Sequence, residues 1–250
     1  MPTETPKRAA GPQRADVALV EAGLFESRAR AAEAIAAGLV TADGAPVAKP
    51  ASRVPPGAAF RATAPHPYVS RGGVKLAAGL DLFALDPAGL RCLDVGSSTG
   101  GFTDVLLRRG AAHVTAVDVG RDQLHPSLRG HPRVDSREST DIRALALGAP
   151  VDMVVCDASF VSLRVVLPPA FALAAPGAVL VALVKPQFEA GRAALKKGIV
   201  RDPEVHAAVC RDAAGFIDAA GWRVLGIHPS PIAGGDGNLE FLLGARRRDV

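Results

Sequence analysis

The chain has 250 residues, of which 48% are hydrophobic and 22% charged, and its formal net charge is +4 at pH 7. This composition excludes a chain disordered along its whole length, and the length suits one large α/β domain or two smaller domains. The charge permits an acidic partner without requiring one, and aromatic residues, at 4%, are too scarce for a platform that stacks the bases of single strands.

The cysteine, histidine and hydropathy patterns exclude three further classes of protein. Cys92, Cys156 and Cys210 are dispersed and odd in number, so they predict neither a disulfide framework nor, with the unclustered histidines, a metal site. The uncharged stretch 165–184 has the length of a membrane span, but its prolines predict a helix, a turn and a buried strand. We find no signal or transit peptide and expect a cytoplasmic protein.

The first part of the chain divides into a tail, a small module and a linker. Residues 1–12 predict a flexible tail, and the prolines between 55 and 67 indicate a linker with a domain boundary near Thr63. Between them, over 13–62, the pattern predicts two helices and then a small sheet with an Asp-Gly hairpin turn.

This module resembles the S4-type RNA-binding domain. The resemblance is carried by Arg-Ala-Asp at 14–16, Gly-Leu-Phe-Glu-Ser-Arg-Ala-Arg-Ala at 23–31, Ala-Gly-Leu-Val at 37–40 and Asp-Gly-Ala-Pro-Val at 43–47. It implies RNA contact by Arg14, Ser27, Arg28 and Arg30, since a helix start with arginine side chains attracts phosphates. The alternative is that Arg28 and Arg30 belong to a solvated helix face beside two glutamates.

Residues 63–250 alternate between strand-like and helix-like segments. Strands are predicted at 91–95, 113–117, 151–156, 179–184, 222–228 and 240–243, and helices at 101–109, 165–175 and 204–220. Such alternation predicts an α/β domain with a mostly parallel sheet covered by helices on both faces. Ligands of these sheets bind at the carboxyl ends of the strands.

A glycine-rich loop follows the first of these strands, in Cys-Leu-Asp-Val-Gly-Ser-Ser-Thr-Gly-Gly-Phe-Thr at 92–103. Its residue pattern fits neither a dinucleotide-binding fingerprint nor a P-loop. An acid before the glycines suits a cofactor with an α-amino group and no phosphate, which describes S-adenosylmethionine. The cofactor-binding candidates are Asp94, Gly96, Ser98, Gly100, Asp118, for the ribose hydroxyls, and Asp141, for the adenine end. An ordinary turn at Asp94 and Gly96, and a capping role for Asp141, are the alternatives.

Four polar residues stand at predicted segment ends near the expected crevice: Lys75, Asp157, Lys185 and Glu240. Lys185 ends the most hydrophobic strand and precedes Pro186, so we expect it to be fixed and partly desolvated. A lysine in such a place can lose its charge and accept a proton. Taken singly, each residue could also be a solvated charge.

The order of segments and motifs over 13–245 resembles the TlyA (haemolysin A-type) family of S4-domain RNA 2′-O-ribose methyltransferases, whose catalytic half is FtsJ-like. The motifs are Ser-Arg-Gly-Gly-x-Lys-Leu, Asp-x-Gly-x-Ser-Thr-Gly-Gly-Phe-Thr, Asp-x-Ser-Phe, Val-Lys-Pro-Gln-Phe-Glu and Gly-Asn-x-Glu. The resemblance implies a Rossmann-like domain at 63–250, S-adenosylmethionine as cofactor and Lys75, Asp157, Lys185 and Glu240 as the catalytic set. It also implies ribosomal RNA as substrate and a cytidine ribose as target.

Further expectations concern the base, the RNA contacts, the substrate and the oligomeric state. Lys185 would act as the base, and Arg71 would contact substrate phosphate or be a simple loop charge. The chain's end weakly favours the large ribosomal subunit over both subunits, and we expect a monomer that requires no metal. Two other functions stay open: a non-catalytic RNA-binding ribosome-assembly factor, and a haemolysin, for which the sequence offers no membrane span.

Overall fold

A computed structural model describes residues 11–234 and 237–249 of the chain. The first ten residues of the predicted tail therefore lie outside the described residues. The chain divides into two compact units, Met1–Pro67 and Tyr68–Val250. The predicted boundary near Thr63 lies a few residues before the end of the first unit at Pro67.

The first unit is a small α+β module, with two helices, a three-stranded antiparallel sheet and a two-stranded ribbon. Its elements are β1 (Gln13–Arg14), α1 (Ala15–Glu21), α2 (Arg28–Ala36), β2 (Val40–Ala42), β3 (Ala45–Pro46), β4 (Arg53–Val54) and β5 (Phe60–Ala62). The sheet has the order β3-β2-β5, and β1 pairs with β4. The strand β5 lies where the prolines predicted a linker.

Local sequence explains the shape of this unit. Ser27 caps α2 by accepting a hydrogen bond from the backbone N–H of Arg30, as a serine at an N-cap does. Asp43 and Gly44 both have positive φ, 51° and 81°, which the tight turn between β2 and β3 requires. The core contains the buried side chains of Leu19 and Ile35, so α1 and α2 pack together on their apolar faces.

The second unit consists of a seven-stranded sheet with helices on both faces. Its elements are α3 (Gly72–Leu82), β6 (Arg91–Val95), α4 (Gly101–Arg108), β7 (His113–Val117), β8 (Val134–Arg137), β9 (Val151–Cys156), α5 (Leu163–Ala172), β10 (Ala174–Val184), α6 (Pro186–Glu189), α7 (Pro203–Ala219), β11 (Trp222–Pro229) and β12 (Phe241–Arg247), with 3₁₀ turns at Ile142–Ala144 and Arg192–Ala194. The strand order is β11-β12-β10-β9-β6-β7-β8. The strands from β10 to β8 in that order are parallel, while β12 runs antiparallel to both of its neighbours.

Two hydrophobic clusters cover the two faces of this sheet. One contains Leu76 and Leu80 of α3 with Leu106 of α4, and the other contains Phe171 of α5 and Ile217 of α7. The predicted α/β class, with a Rossmann-like sheet after a small α+β module, is confirmed. No helix in the described part of the chain is long and apolar enough to cross a membrane.

Three local features differ from the sequence-based expectation. The helix α3 and the edge strand β8 were not predicted, so Lys75 lies within a helix rather than at a segment end. Pro176 and Gly177 lie within β10 rather than in a turn before it, and the pairing of β10 with β9 shifts register between Ala174 and Val179. The irregular pairing tolerates a proline, which cannot donate a ladder hydrogen bond.

Candidate active site

A cleft of about 610 Å³ opens at the carboxyl ends of β6, β7 and β9. Its wall is formed by the loops after these three strands, by residues 140–143 after β8 and by the first residues of α5. Four of the predicted cofactor residues line it: Gly96, Ser98, Asp118 and Asp141. A smaller cavity of about 170 Å³ lies beside the cleft and shares Gly96, Ser98, Asp157 and Ser159 with it.

The glycines of the loop after β6 allow this cleft to form. Gly96 has φ +79°, and a Cβ added there would lie 2.8 Å from the Cα of Ala158 in the loop after β9. Any side chain at this position would therefore push the two loops apart. Gly100, with φ 92°, is the left-handed residue from which α4 begins. Gly100 therefore shapes the loop, and it does not line either cavity.

Asp118 closes the loop from the side of β7. Its Oδ2 accepts the backbone N–H of Ser98 and its Oδ1 accepts that of Gly120, both at 2.7 Å. These bonds fix the plane of the carboxylate on the wall of the cleft. Because each carboxylate oxygen can accept a second hydrogen bond, Asp118 retains the capacity to bind two ligand hydroxyls.

Asp94 lies at the end of β6 and is fully buried, and it does not line the cleft. The hydroxyl of Thr103 donates to its Oδ2 at 2.7 Å, whereas its Oδ1 has no hydrogen-bond partner among the described residues. Burial raises the pKa of Asp94 to about 7, and the charges of Asp157 and Asp118 act in the same direction. A buried carboxyl with an unsatisfied oxygen is ready for a donor group.

These observations test whether S-adenosylmethionine fits the site. Ser97, in the smaller cavity, also has a buried hydroxyl without a hydrogen-bond partner among the described residues. Unsatisfied polar atoms under the glycine loop suit the amino-acid end of the cofactor, and Asp118 suits its ribose hydroxyls. The residues present therefore fit this cofactor.

Asp141 has the capping role that the sequence left open, and its position in the cleft is compatible with the predicted cofactor role. It lines the cleft, and its Oδ1 also accepts the backbone N–H of Arg143 and so caps the 3₁₀ turn at Ile142–Ala144. The hydrogen bond from the Arg143 side chain, followed by that backbone bond, lowers the pKa of Asp141 to about 2. The carboxylate is therefore ionised and partly occupied.

The four residues of the predicted catalytic set form two ion pairs. Lys75 Nζ lies 2.5 Å from Glu240 Oε2, and both side chains are buried. Lys185 Nζ lies 2.6 Å from Asp157 Oδ1, outside hydrogen-bond angular geometry, so this contact is an ion pair only. Asp157 lines both cavities.

The start of α3 lies beside the second pair. A Cβ added at Gly72 would be 3.5 Å from Asp157 Oδ2. Lys75 follows one turn later on the same helix, so α3 connects the two ion pairs. Arg71, just before α3, donates to the carbonyl of Ala233 at 2.6 Å, which ties this helix start to the segment leading to Glu240.

Sequence reasoning missed several residues around Lys185. Its Nζ donates to Ser159 Oγ at 2.8 Å and to the carbonyl of Asp157 at 3.1 Å. Glu189, at the end of α6, accepts from Ser162 Oγ at 2.6 Å and from the backbone N–H of Leu163 at 2.7 Å, so it holds α6 to the start of α5. Ser159 and Glu189 lie within the Asp-x-Ser-Phe and Val-Lys-Pro-Gln-Phe-Glu motifs, which was the available signal.

Sequence reasoning also missed Phe160 and Asn238. Phe160 is 90% exposed, has φ +65°, lines the cleft and packs against Phe188 at a ring-centroid distance of 5.2 Å. Asn238 is buried, accepts the backbone N–H of Val200 and donates to the carbonyl of Gly198, both at 3.1 Å. Asn238 thereby anchors a loop close to Glu240 in sequence, and its signal was the Gly-Asn-x-Glu motif.

The predicted RNA-binding residues of the first unit occupy different surroundings. Arg14 and Arg28 are 42% and 59% exposed and both pair with Asp16. Ser27 serves as a helix cap. Arg30 is only 17% exposed, pairs with Glu33 and donates to the carbonyl of His66, so it is not part of a simple solvated helix face.

Comparison with known proteins identifies both units. The FtsJ-like methyltransferase family model matches residues 68–247 and the S4 domain model matches residues 13–59. A 16S/23S rRNA (cytidine-2′-O)-methyltransferase, TlyA of Mycobacterium tuberculosis, is 47% identical over 93% of this chain and 89% of its own length. Hemolysin A of Brachyspira hyodysenteriae is 36% identical over 88% of this chain and 94% of its own length.

Solved structures agree with this assignment. A Streptococcus thermophilus protein that bears a hemolysin name has 39% identity and a TM-score of 0.76, covering 96% of this chain and 90% of its own. An S-adenosylmethionine-dependent methyltransferase structure from Listeria monocytogenes, at 14% identity and a TM-score of 0.53, covers 70% of this chain and all of its own and shares the fold alone. The chain belongs to the TlyA family of FtsJ-like methyltransferases with an S4 domain.

Proposed function

We propose that this protein transfers a methyl group from S-adenosylmethionine to the 2′-hydroxyl of a cytidine in ribosomal RNA. The observation that carries the proposal is the pairing of Lys185 with Asp157 on the wall of a cleft that fits the cofactor. The M. tuberculosis relative, named for this reaction on both ribosomal RNAs, supports it. We propose the large subunit as the principal substrate and test the small subunit beside it.

The cofactor supplies an electrophilic methyl group on a sulfonium. Asp118 would accept the hydrogen bonds of its ribose hydroxyls, and the loop at Gly96 and Ser98 would bring backbone close to it. Asp94, with its unsatisfied Oδ1, would serve the α-ammonium end, and Asp141 would face the adenine.

Lys185 would hold and move the proton. A ribose hydroxyl is a poor nucleophile, so a positioned base that removes its proton accelerates the attack. Lys185 must first lose a proton to solvent. Its neutral Nζ would then accept the proton of the 2′-hydroxyl during the attack on the methyl group that the sulfonium supplies. Ser159 and the carbonyl of Asp157 keep Nζ in place.

The remaining members of the set would position this base. Asp157 stabilises the lysine once it is charged, so the proton remains on Nζ after transfer. Lys75, held by Glu240, would help to keep the start of α3 beside Asp157.

The first unit would bind the RNA through Arg14 and Arg28, with Arg71 contacting phosphate near the target. Phosphate contacts of this kind fix the register of a protein on RNA without reading its sequence. We further propose that the protein acts as a monomer in the cytoplasm. Light scattering of the purified chain, alone and with RNA, tests the oligomeric state.

The experiment supplies isotope-labelled S-adenosylmethionine and, separately, small and large ribosomal subunits that lack the modification. Nuclease fragments are then mapped by mass spectrometry, with Lys185→Arg as the matched variant, which keeps the positive charge. We expect label on a cytidine ribose with the wild type and none with the variant. Label on a base would overturn the 2′-hydroxyl reaction. Cofactor binding without label on either subunit would favour the assembly-factor alternative.

A further inference from the structure

The first unit contains a buried carboxylate that is surrounded by exposed arginines. Asp16, in the first turn of α1, has a side chain that is only 4% exposed. Arg14 donates from Nε to its Oδ1 and from Nη2 to its Oδ2, both at 2.9 Å. Arg28 donates from Nε at 3.1 Å and Nη2 at 2.9 Å to the same Oδ2. The backbone N–H of Val17 adds a donor to Oδ1.

One arginine would suffice to neutralise this carboxylate. The hydrogen bond from Arg14 is the largest influence on the pKa of Asp16 and, with Arg28, holds that pKa far below its usual range in spite of burial. A single arginine already balances the charge of a carboxylate, so the second leaves a net positive charge. Each guanidinium has five N–H donors and uses two on Asp16, while much of each side chain faces solvent.

A third arginine, Arg53, lies next to Arg14 on the two-stranded ribbon. Arg14 of β1 and Arg53 of β4 are direct antiparallel partners, so their side chains leave the same face of the ribbon. Like charges directly opposite each other destabilise a strand pair. Arg53 also donates to the carbonyl of Pro12 at 3.0 Å, which restricts its guanidinium. The cluster of Arg14, Arg28, Arg53 and Asp16 thus has a formal charge of +2.

We propose that Asp16 is a positioning residue that holds Arg14 and Arg28 as one rigid site for the phosphate backbone of structured RNA, and that Arg53 extends this site. The proposal rests on the proposed function, in which the first unit binds RNA. Arginine binds phosphate through its planar fork, and a fork already held in place loses less conformational entropy on binding. The energetic cost of grouping three like charges is then offset when phosphates bind.

The substitution Asp16→Asn separates positioning from charge. It removes a negative charge from the proposed RNA surface, so a surface that acted by charge alone would bind RNA more tightly. If Asp16 positions the two forks, affinity for isolated large-subunit ribosomal RNA falls instead, by about tenfold, the scale of a lost charged hydrogen bond. Glu21→Gln, which removes a negative charge from the exposed end of the same helix, is the matched control and leaves affinity unchanged or slightly stronger.

Two further variants keep the proposal falsifiable if Asp16→Asn does not fold. Arg28→Lys preserves charge but loses the fork, so the proposal expects weaker binding, and unchanged binding would overturn it. For Arg53→Ala we expect log affinity to fall less steeply with log salt concentration. The magnitude of the slope should be smaller by about one unit, as for one lost phosphate contact. An unchanged slope would remove Arg53 from the site.

Methyl transfer distinguishes this proposal from the proposed function. With Asp16→Asn we expect a higher KM for RNA and an unchanged kcat at saturating RNA, because the catalytic unit is not altered. A wild-type chain without affinity for ribosomal RNA would overturn the proposed function and this inference together. A wild-type chain that binds RNA, with Asp16→Asn binding equally or more tightly, would overturn the inference alone.

Discussion

The two ion pairs of the candidate active site have the same charges but different surroundings. In the pair of Lys75 and Glu240 the side chains are 9% and 4% exposed, and Lys75 Nζ has Glu240 as its acceptor. In the other pair Asp157 is 21% exposed and lines both cavities, and Lys185 Nζ has two further acceptors. The second pair therefore reaches the two cavities through Asp157, because Lys185 is itself only 6% exposed and lines neither of them.

This difference indicates a structural role for Lys75 and a role in proton transfer for Lys185. A buried charge with one partner is destabilised severely when that partner is lost, so the first pair is suited to holding α3 against the segment before β12. A charge with several acceptors can lose a proton or a partner and remain in place, which suits a group that must move a proton. Mutations should therefore reduce mainly stability at the pair of Lys75 and Glu240 and mainly turnover at the pair of Lys185 and Asp157.

The largest effect is expected for Lys185→Ala. Removing a positioned base costs about 10²–10⁴ in rate, so methyl transfer should fall by at least two orders of magnitude while S-adenosylmethionine still binds. Single-turnover transfer of labelled methyl groups measures the first quantity, and isothermal calorimetry measures the second. Turnover near the wild-type rate would remove Lys185 from the mechanism.

The next comparison concerns stability at the two pairs. Glu240→Gln leaves Lys75 buried without a counter-charge and should lower the free energy of unfolding by about 3–5 kcal/mol. Asp157→Asn leaves Lys185 with two neutral acceptors and should lower it by only about 1–2 kcal/mol, although it impairs turnover. Urea unfolding of the two variants gives both values.

The double substitution of Lys75→Met with Glu240→Leu is the control for this comparison. Removing both charges together eliminates the unpaired ion, so most of the lost stability should return without activity. Equal losses for the two single variants would contradict the distinction between the pairs.

A smaller effect is expected for the pH dependence of stability that arises from Asp94. Its pKa is about 7 in the folded protein and 3.8 as the ordinary value, so between these values the folded state binds the additional proton. Its contribution to stability therefore declines as pH rises from about 4 to about 7 and is constant above that. Urea unfolding of wild type and Asp94→Asn at a series of pH values should show this decline in the wild type only.

Cofactor binding tests independently whether Asp94 contacts the amino-acid end of S-adenosylmethionine. An α-ammonium group beside Oδ1 favours the ionised carboxyl, so affinity for S-adenosylmethionine should rise with pH through about 7 and lose that dependence in Asp94→Asn. Identical pH profiles in the two proteins would exclude Asp94 from the amino-acid end of the site.

The smallest effect is expected for Ser159→Ala. It removes one acceptor from Lys185 Nζ and leaves the Asp157 carbonyl and carboxylate in place, so kcat should fall only a few-fold, equivalent to about 1 kcal/mol. A loss as large as that of Lys185→Ala would show that Ser159 has a direct role in the reaction. Steady-state kinetics at saturating RNA measures the difference.

Much of the site was readable from the chain because its parts are local. The strand, glycine loop and helix at 91–108 form one continuous segment, and Lys185 follows a run of apolar residues that was predicted to be a buried strand. The helix α3 was missed because its turn-forming start, with Gly72 and Gly73, hides a short helical stretch. Gly73 is required there by packing, since a Cβ would lie 2.5 Å from Tyr68.

The sequence by itself determined the α/β class, the small module before it, the cofactor loop and the identity of the four paired residues. Only the tertiary structure decided which lysine pairs with which carboxylate, because these residues lie far apart in the chain and meet through sheet order and helix placement. It also showed that Asp94 is buried beneath the loop and that Asp16 binds two arginines. Burial and side-chain distance depend on packing between distant segments, which periodicity and motifs do not encode.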